Sequence, residues 1–134
     1  MIVVDDRLSL EALAGRLAEV VGDEPVVTTW GFHYRLVRAL SDEQRVGRLS
    51  RASSAALRRA AIAPPPSLLQ VLDPRPLTET AATMAIRYRL NLLAAELVAA
   101  AKYHSATVAL AAVNVGRTWP DVLAAEGIRL RVID

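Results

Sequence analysis

The sequence has no cysteine, two histidines and a single lysine, Lys102. Without cysteine there is neither a disulfide framework nor a thiolate metal site, and His33 and His104 alone cannot build a zinc cluster, so they read as packing or surface residues. No uncharged run reaches the ~18 residues a membrane helix needs, and the opening MIVVDD has no basic segment ahead of an apolar one. The expectation is a cytoplasmic protein without a membrane partner. A strong charge surplus is also missing. Sixteen basic residues against fourteen acidic ones leave +2, too small a balance to announce nucleic-acid binding from totals.

What is present is arginine, alanine and a strong alternation of elements. Every basic residue except Lys102 is an arginine, a side chain that stays charged and makes forked contacts with carboxylate or phosphate. Its distribution therefore matters more than its sum. The 134 residues suit one domain, 1–134, with one core. The β-branched run at 2–5 reads as a buried strand that delivers Asp5 at its C-terminal end. Ser9 is placed to cap a helix over 9–21, closed by Gly22. A short strand at 26–28 leads into a helix over 29–40, and Ser41-Asp42-Glu43-Gln44 resembles a capping box that opens a further helix to about 62. Ala63 to Pro66 make a stiff connector, and Leu68 to Leu72 reads as a strand or an extended link. Helices over 77–89 and from Asn91 onward, a strand at 106–112, a helix over 118–126 and a strand at 128–133 complete the chain. Strands that alternate with helices predict a three-layer α/β/α sandwich around a central parallel sheet.

The hub is 90–115, LNLLAAELVAAAKYHSATVALAAVNV: a small-residue helix, a tight break and a buried strand. Together with the opening MIVVD, the segment PLTETAATMAIRYRLNLLAAELVAAA, the following HSATVALAA and the closing GIRLRVI, it resembles the PIN domain. The likeness is strongest to the compact ribonuclease toxins of VapBC-type toxin–antitoxin pairs, and it covers nearly the whole chain in matching order. The resemblance implies three or four carboxylates at the C-terminal edge of the sheet, holding Mg²⁺ or Mn²⁺ to activate water against a phosphodiester. Hard, reluctantly dehydrated Mg²⁺ requires that many oxygen ligands beside an anionic substrate.

Carried over residue by residue, the first acid falls on Asp5. The second falls on Arg35, or on Tyr34 if the alignment shifts by one. The third, in a pattern like L-S-x-x-D-A, falls on Ala94, four residues into the run that opens with Leu90 and Asn91. The fourth region leaves at best the amide of Asn114. Substitutes are poorly placed. Glu96 lies about 200° around the helix from Ala94, Asp6 would leave the strand on its other side unless the backbone turns, and Asp121 sits in a later helix.

Asp5 and Asp6 bring two negative charges, and Arg7 and Arg35 two positive ones, so the pocket formed by Asp5, Arg35, Asn91, Ala94 and Asn114 is expected to be near neutral. An Arg35–Asp5 ion pair is expected to replace the metal, and if buried its disruption should cost roughly 3–5 kcal/mol. Asp5 has a second reading, as the cap of a nearby helix N-terminus.

Two functional expectations follow. One is a PIN-like protein without hydrolytic activity and without a cofactor. It would bind a second copy of itself as a homodimer, an antitoxin-like protein or RNA, with Arg7, Arg38, Arg45, Arg48 and Arg51 as contact residues. Trp30, Phe32, Tyr34 and Trp119 could stack bases beside arginines, although packing is the plainer role for them. The alternative is a Mg²⁺- or Mn²⁺-dependent endoribonuclease with ligands re-sited around Asp5, Asp6, Asn114 and Asp121.

Overall fold

The computed structural model describes residues 1–45 and 51–134, without the side chains of 44, 45 and 51–54. The apolar β-branched segments become β1 (Ile2–Val4), β2 (Val26–Thr28), β3 (Gln70–Val71), β4 (Thr107–Ala111) and β5 (Leu130–Ile133). They form one all-parallel sheet in the order β3-β2-β1-β4-β5. β1 lies at its centre, with Val3 level with Val27 on one side and Val108 on the other. A central parallel strand is covered on both faces, which is why IVV shows no polar alternation and why all three residues are fully buried.

Successive side chains still point to opposite faces. Val3, Val27, Val108 and Leu110 face a layer made by α5 (Thr78–Tyr88), α6 (Leu92–His104) and α7 (Thr118–Ala125). Ile2, Val4, Ala109 and Ala111 face α1 (Asp6–Leu13) and α2 (Ala18–Val21). The α/β/α sandwich expected from the alternation of elements is present. α3 (Trp30–Arg45) and α4 (Arg51–Ile62) pack on one another through Leu36, Leu40 and Ala61, with Leu10 and Leu13 of α1 against them. His33 strengthens that contact, its Nε2 lying 2.6 Å from the carbonyl oxygen of Ala61.

α6 is the hub in space as well as in sequence. Residues Ala95 to Ala101 are all buried, and the alanines among them let the helix lie close against the sheet. Asn91 caps its start by accepting a hydrogen bond from the Ala94 amide at 2.9 Å. Among the described residues no helix is long and apolar enough to cross a membrane.

Two expected helix starts are corrected. The helix after β1 begins at Asp6, with Asp5 as its N-cap, and breaks after Leu13 before the short α2. Ser9 is no cap: it is buried one turn in, and its hydroxyl donates back to the Asp5 carbonyl at 2.7 Å. Ser41 likewise starts nothing. α3 runs through it to Arg45, and the Ser41 hydroxyl donates to the Val37 carbonyl at 2.9 Å, the back-bonding that lets serine sit inside a helix. The expected helix from 41 to 62 is thus the end of α3 plus α4, and 46–50 lie outside the described residues.

Candidate functional site

Parallel strands deliver their following residues to one edge, and the crevice there is where α/β sheets usually place ligands. β1 delivers Asp5, β2 delivers Thr29 and the start of α3, and β4 delivers the turn that carries Asn114. Asp5 is fully buried and its carboxylate is saturated by N–H donors. One oxygen accepts from the Leu8 amide at 2.8 Å, capping α1. The other accepts from the Ala111 amide at 2.8 Å and from Asn114 Nδ2 at 2.9 Å. The acid therefore ties the end of β1 to the end of β4 through a side chain, a cap and a strand amide at once.

The expected Arg35–Asp5 ion pair is not formed. Because the backbone turns into α1 at once, Asp6 emerges in the first helical turn, and it is Asp6 that lies 3.4 Å from the Arg35 Nε. Asn114 Nδ2 bridges the two acids, lying 3.3 Å from Asp6 as well. Arg35 is half exposed, so the pair with Asp6 is a screened surface contact. Arg7 does not join it. It is exposed and borders a separate hollow with Glu11 and Arg16, so its charge does not belong to this edge.

Above this floor opens a cleft of about 380 Å³. Arg35, Asn91, Ala94 and Asn114 line it as the sequence suggested, while Asp5 lies beneath, reached only through Asn114. Arg89 and Arg117 line it too, and sequence reasoning did not single them out. Each sits beside a chain break that the sequence does show: Arg89 between α5 and α6, Arg117 in the turn after β4. No carboxylate lines the cleft, and among the described residues neither Arg89 nor Arg117 has an acidic partner. The α6 N-terminus, whose first residues form one wall, adds the positive end of its dipole.

The remaining acids do not converge here. Glu96 turns to the start of α3, where its Oε1 accepts from the Gly31 amide at 2.8 Å. The space at Gly31 is tight, since a Cβ there would stand 3.0 Å from Leu93 Cδ1 and 3.2 Å from Glu96 Oε1. Asp121 is exposed on α7 and does not line the cleft. This donor set does not fit a hard divalent cation: Asp5 is occupied by N–H groups, Asp6 faces a guanidinium, and the open space presents arginines.

Of the aromatic candidates, Phe32 is 3% exposed and Trp119 packs on the core at the cleft wall, whereas Trp30 and Tyr34 are 52% and 53% exposed. Among the contact arginines, Arg38 is exposed on α3. Arg48 lies outside the described residues, as do the side chains of Arg45 and Arg51.

No protein-family model matches the chain, and no curated protein matches it. Among solved structures it is similar to PAE2754 from Pyrobaculum aerophilum, with a TM-score of 0.63 at 21% identity over 96% of this chain and 89% of that one. At that identity the likeness establishes a shared fold and nothing finer.

Proposed function

We propose that the chain is a PIN-like protein that holds single-stranded RNA in the arginine cleft without cutting it. The observation that carries this reading is the lining itself: Arg35, Arg89 and Arg117 converge where such a fold would otherwise gather carboxylates, and the neighbouring acids are bound into the floor. Three guanidinium groups with the side-chain NH2 of Asn91 suit phosphate oxygens, which accept forked N–H contacts, while the N–H groups of Asn114 are taken by Asp5 and Asp6. A second reading rests on the exposed apolar side chains Leu92 and Val113, which follow the helix cap and the end of β4. They favour an antitoxin-like protein, or a second copy, that covers the cleft.

Fluorescence anisotropy with a labelled oligouridylate tests the proposal. Binding should weaken with salt along a logarithmic slope of about −2, as expected when roughly three phosphates are neutralised on a single strand. Arg117→Ala should lower both affinity and slope. The RNA should stay intact with Mg²⁺ or Mn²⁺ present. Cleavage that EDTA and Asp5→Asn both abolish would establish the re-sited metal nuclease instead. Absence of RNA binding together with tight binding of a protein partner would establish the second reading.

A further inference from the structure

Trp30 and Tyr34 are one turn apart on α3 and stack on each other, with ring centroids 6.0 Å apart and planes inclined by 13°. Both are more than half exposed although they are among the six aromatic residues of the whole sequence. A buried face explains Phe32 between them; it does not explain this pair. Advancing ~100° per residue, Trp30, Tyr34, Arg38 and Arg35 follow one another around α3 within an arc of about 140°. Arg38 is exposed, and Arg35 at the far end of the arc lines the cleft. No acid occurs between Trp30 and Arg38, and the first acid on the same arc is Asp42, one turn beyond Arg38. A continuous path therefore leads from an open aromatic stack across two arginines into a cleft holding two more.

We propose that the Trp30–Tyr34 pair is a base-stacking platform that receives the unpaired bases of the RNA whose phosphates occupy the arginine cleft. The inference rests on the reading of the cleft given above and adds to it a subsite that recognises bases rather than charge. A single strand offers both components at the right places, a π-face every nucleotide and an anion between, whereas an acidic peptide offers only the second. The platform is sequence-tolerant, since every base has a face to stack.

The test compares the labelled oligouridylate with an abasic ribose-phosphate strand of the same length. Trp30→Ala and Tyr34→Ala should each weaken the oligouridylate roughly tenfold, leave its salt slope unchanged, and leave the abasic strand within about twofold. Trp30→Phe and Tyr34→Phe keep a ring and should recover most of the loss. Both positions are exposed, so circular dichroism should show the wild-type fold in all four variants. Arg117→Ala should weaken both strands. If the alanine variants bind the oligouridylate as the wild type does while Arg117→Ala weakens it, the platform is refuted and the cleft reading stands. If neither strand binds the wild type, the cleft reading fails and the platform with it. The opposite flank of Trp30, with Ile62 and Pro64, is apolar. A loss of self-association in Trp30→Ala on sedimentation, with RNA affinity unchanged, would make this face a contact between copies and overturn the proposal.

Discussion

Two charge clusters lie at opposite edges of the sheet, and they are built on opposite rules. At the N-terminal edge, just before β5, the cations converge on an acid. Glu126 has a side chain only 5% exposed, accepts from Lys102 Nζ at 2.6 Å and from Arg87 at 3.2 Å, and receives the Tyr88 hydroxyl. Hydrogen bonds from Lys102 and then Tyr88 hold its carboxyl at about 2, far below its ordinary range, and the same contact raises the Tyr88 phenol. At the C-terminal edge Asp5 is drawn down into backbone and amide contacts, Asp6 pairs with Arg35, and Arg89 and Arg117 are left facing open space. The first arrangement satisfies its own charges and holds α5, α6 and α7 together. The second leaves positive potential for something else to satisfy. An arginine count cannot separate these cases; the location of the nearest carboxylate does.

The harshest way to break this comparison is to remove the acid under the cleft. Asp5→Ala leaves the Leu8 and Ala111 amides without an acceptor in a fully buried place and leaves the Asn114 side chain only its longer contact to Asp6. A loss of roughly 3 kcal/mol in urea-denaturation stability is expected, since each buried donor left unpaired costs about 1–3 kcal/mol. If Asp5→Ala unfolds like the wild type, Asp5 is not a structural clasp and its burial has another purpose.

The Glu126 cluster gives the next largest effect, and it is dependent on pH. A carboxylate whose pKa is depressed on folding contributes stability that is fully present above its unfolded value, near 4.5, and is lost as pH falls toward about 2. Glu126→Gln should therefore cost about 1 kcal/mol at neutral pH, a modest figure because the surrounding cations are solvent-exposed and screened. The gap between variant and wild type should close between pH 4.5 and 2 in thermal melts. A gap that persists at pH 2 would mean that packing rather than charge holds this edge.

The layered fold was legible because its signals are local and repeated. The apolar runs at 2–5, 26–28 and 106–112 fall on β1, β2 and β4, and Asn91 caps α6 as its position after the break suggests. The site was legible only in part, for reasons that differ residue by residue. Asp5 was readable either as a cap or as the partner of Arg35, and it is the cap. A carboxylate immediately before a helical turn finds backbone N–H groups closer than any side chain, which hands Arg35 to Asp6. Ser9 and Ser41 carry cap chemistry but sit inside helices, because a serine hydroxyl can satisfy itself on the preceding turn. Arg89 and Arg117 are 28 positions apart, so only the topology that sets the α6 start beside the end of β4 brings them together. The exposure of Trp30 and Tyr34 runs against the expectation that aromatics are packed, an expectation that holds for residues in aggregate and not one by one.

Arg89 offers the smallest and most discriminating test, because its backbone and its side chain make opposite demands. It closes α5 in the left-handed region, at φ 54° and ψ 47°, where a residue with a Cβ is disfavoured by about 1 kcal/mol and glycine is not. A position selected only for the turn would favour glycine. Arg89→Gly should therefore leave the folded state unchanged or firmer by a few tenths of a kcal/mol, the relief of the turn being partly offset by the greater freedom of glycine in the unfolded chain. RNA affinity should fall in the same variant, and the salt slope should shrink by about 0.7, the share of one phosphate contact. A protein that becomes more stable while binding less would show that the guanidinium is kept at this strained position for a ligand. If Arg89→Gly instead destabilises the fold and binds RNA as before, its side chain belongs with Lys102 and Arg87 as structure, and the contrast between the two edges of the sheet dissolves.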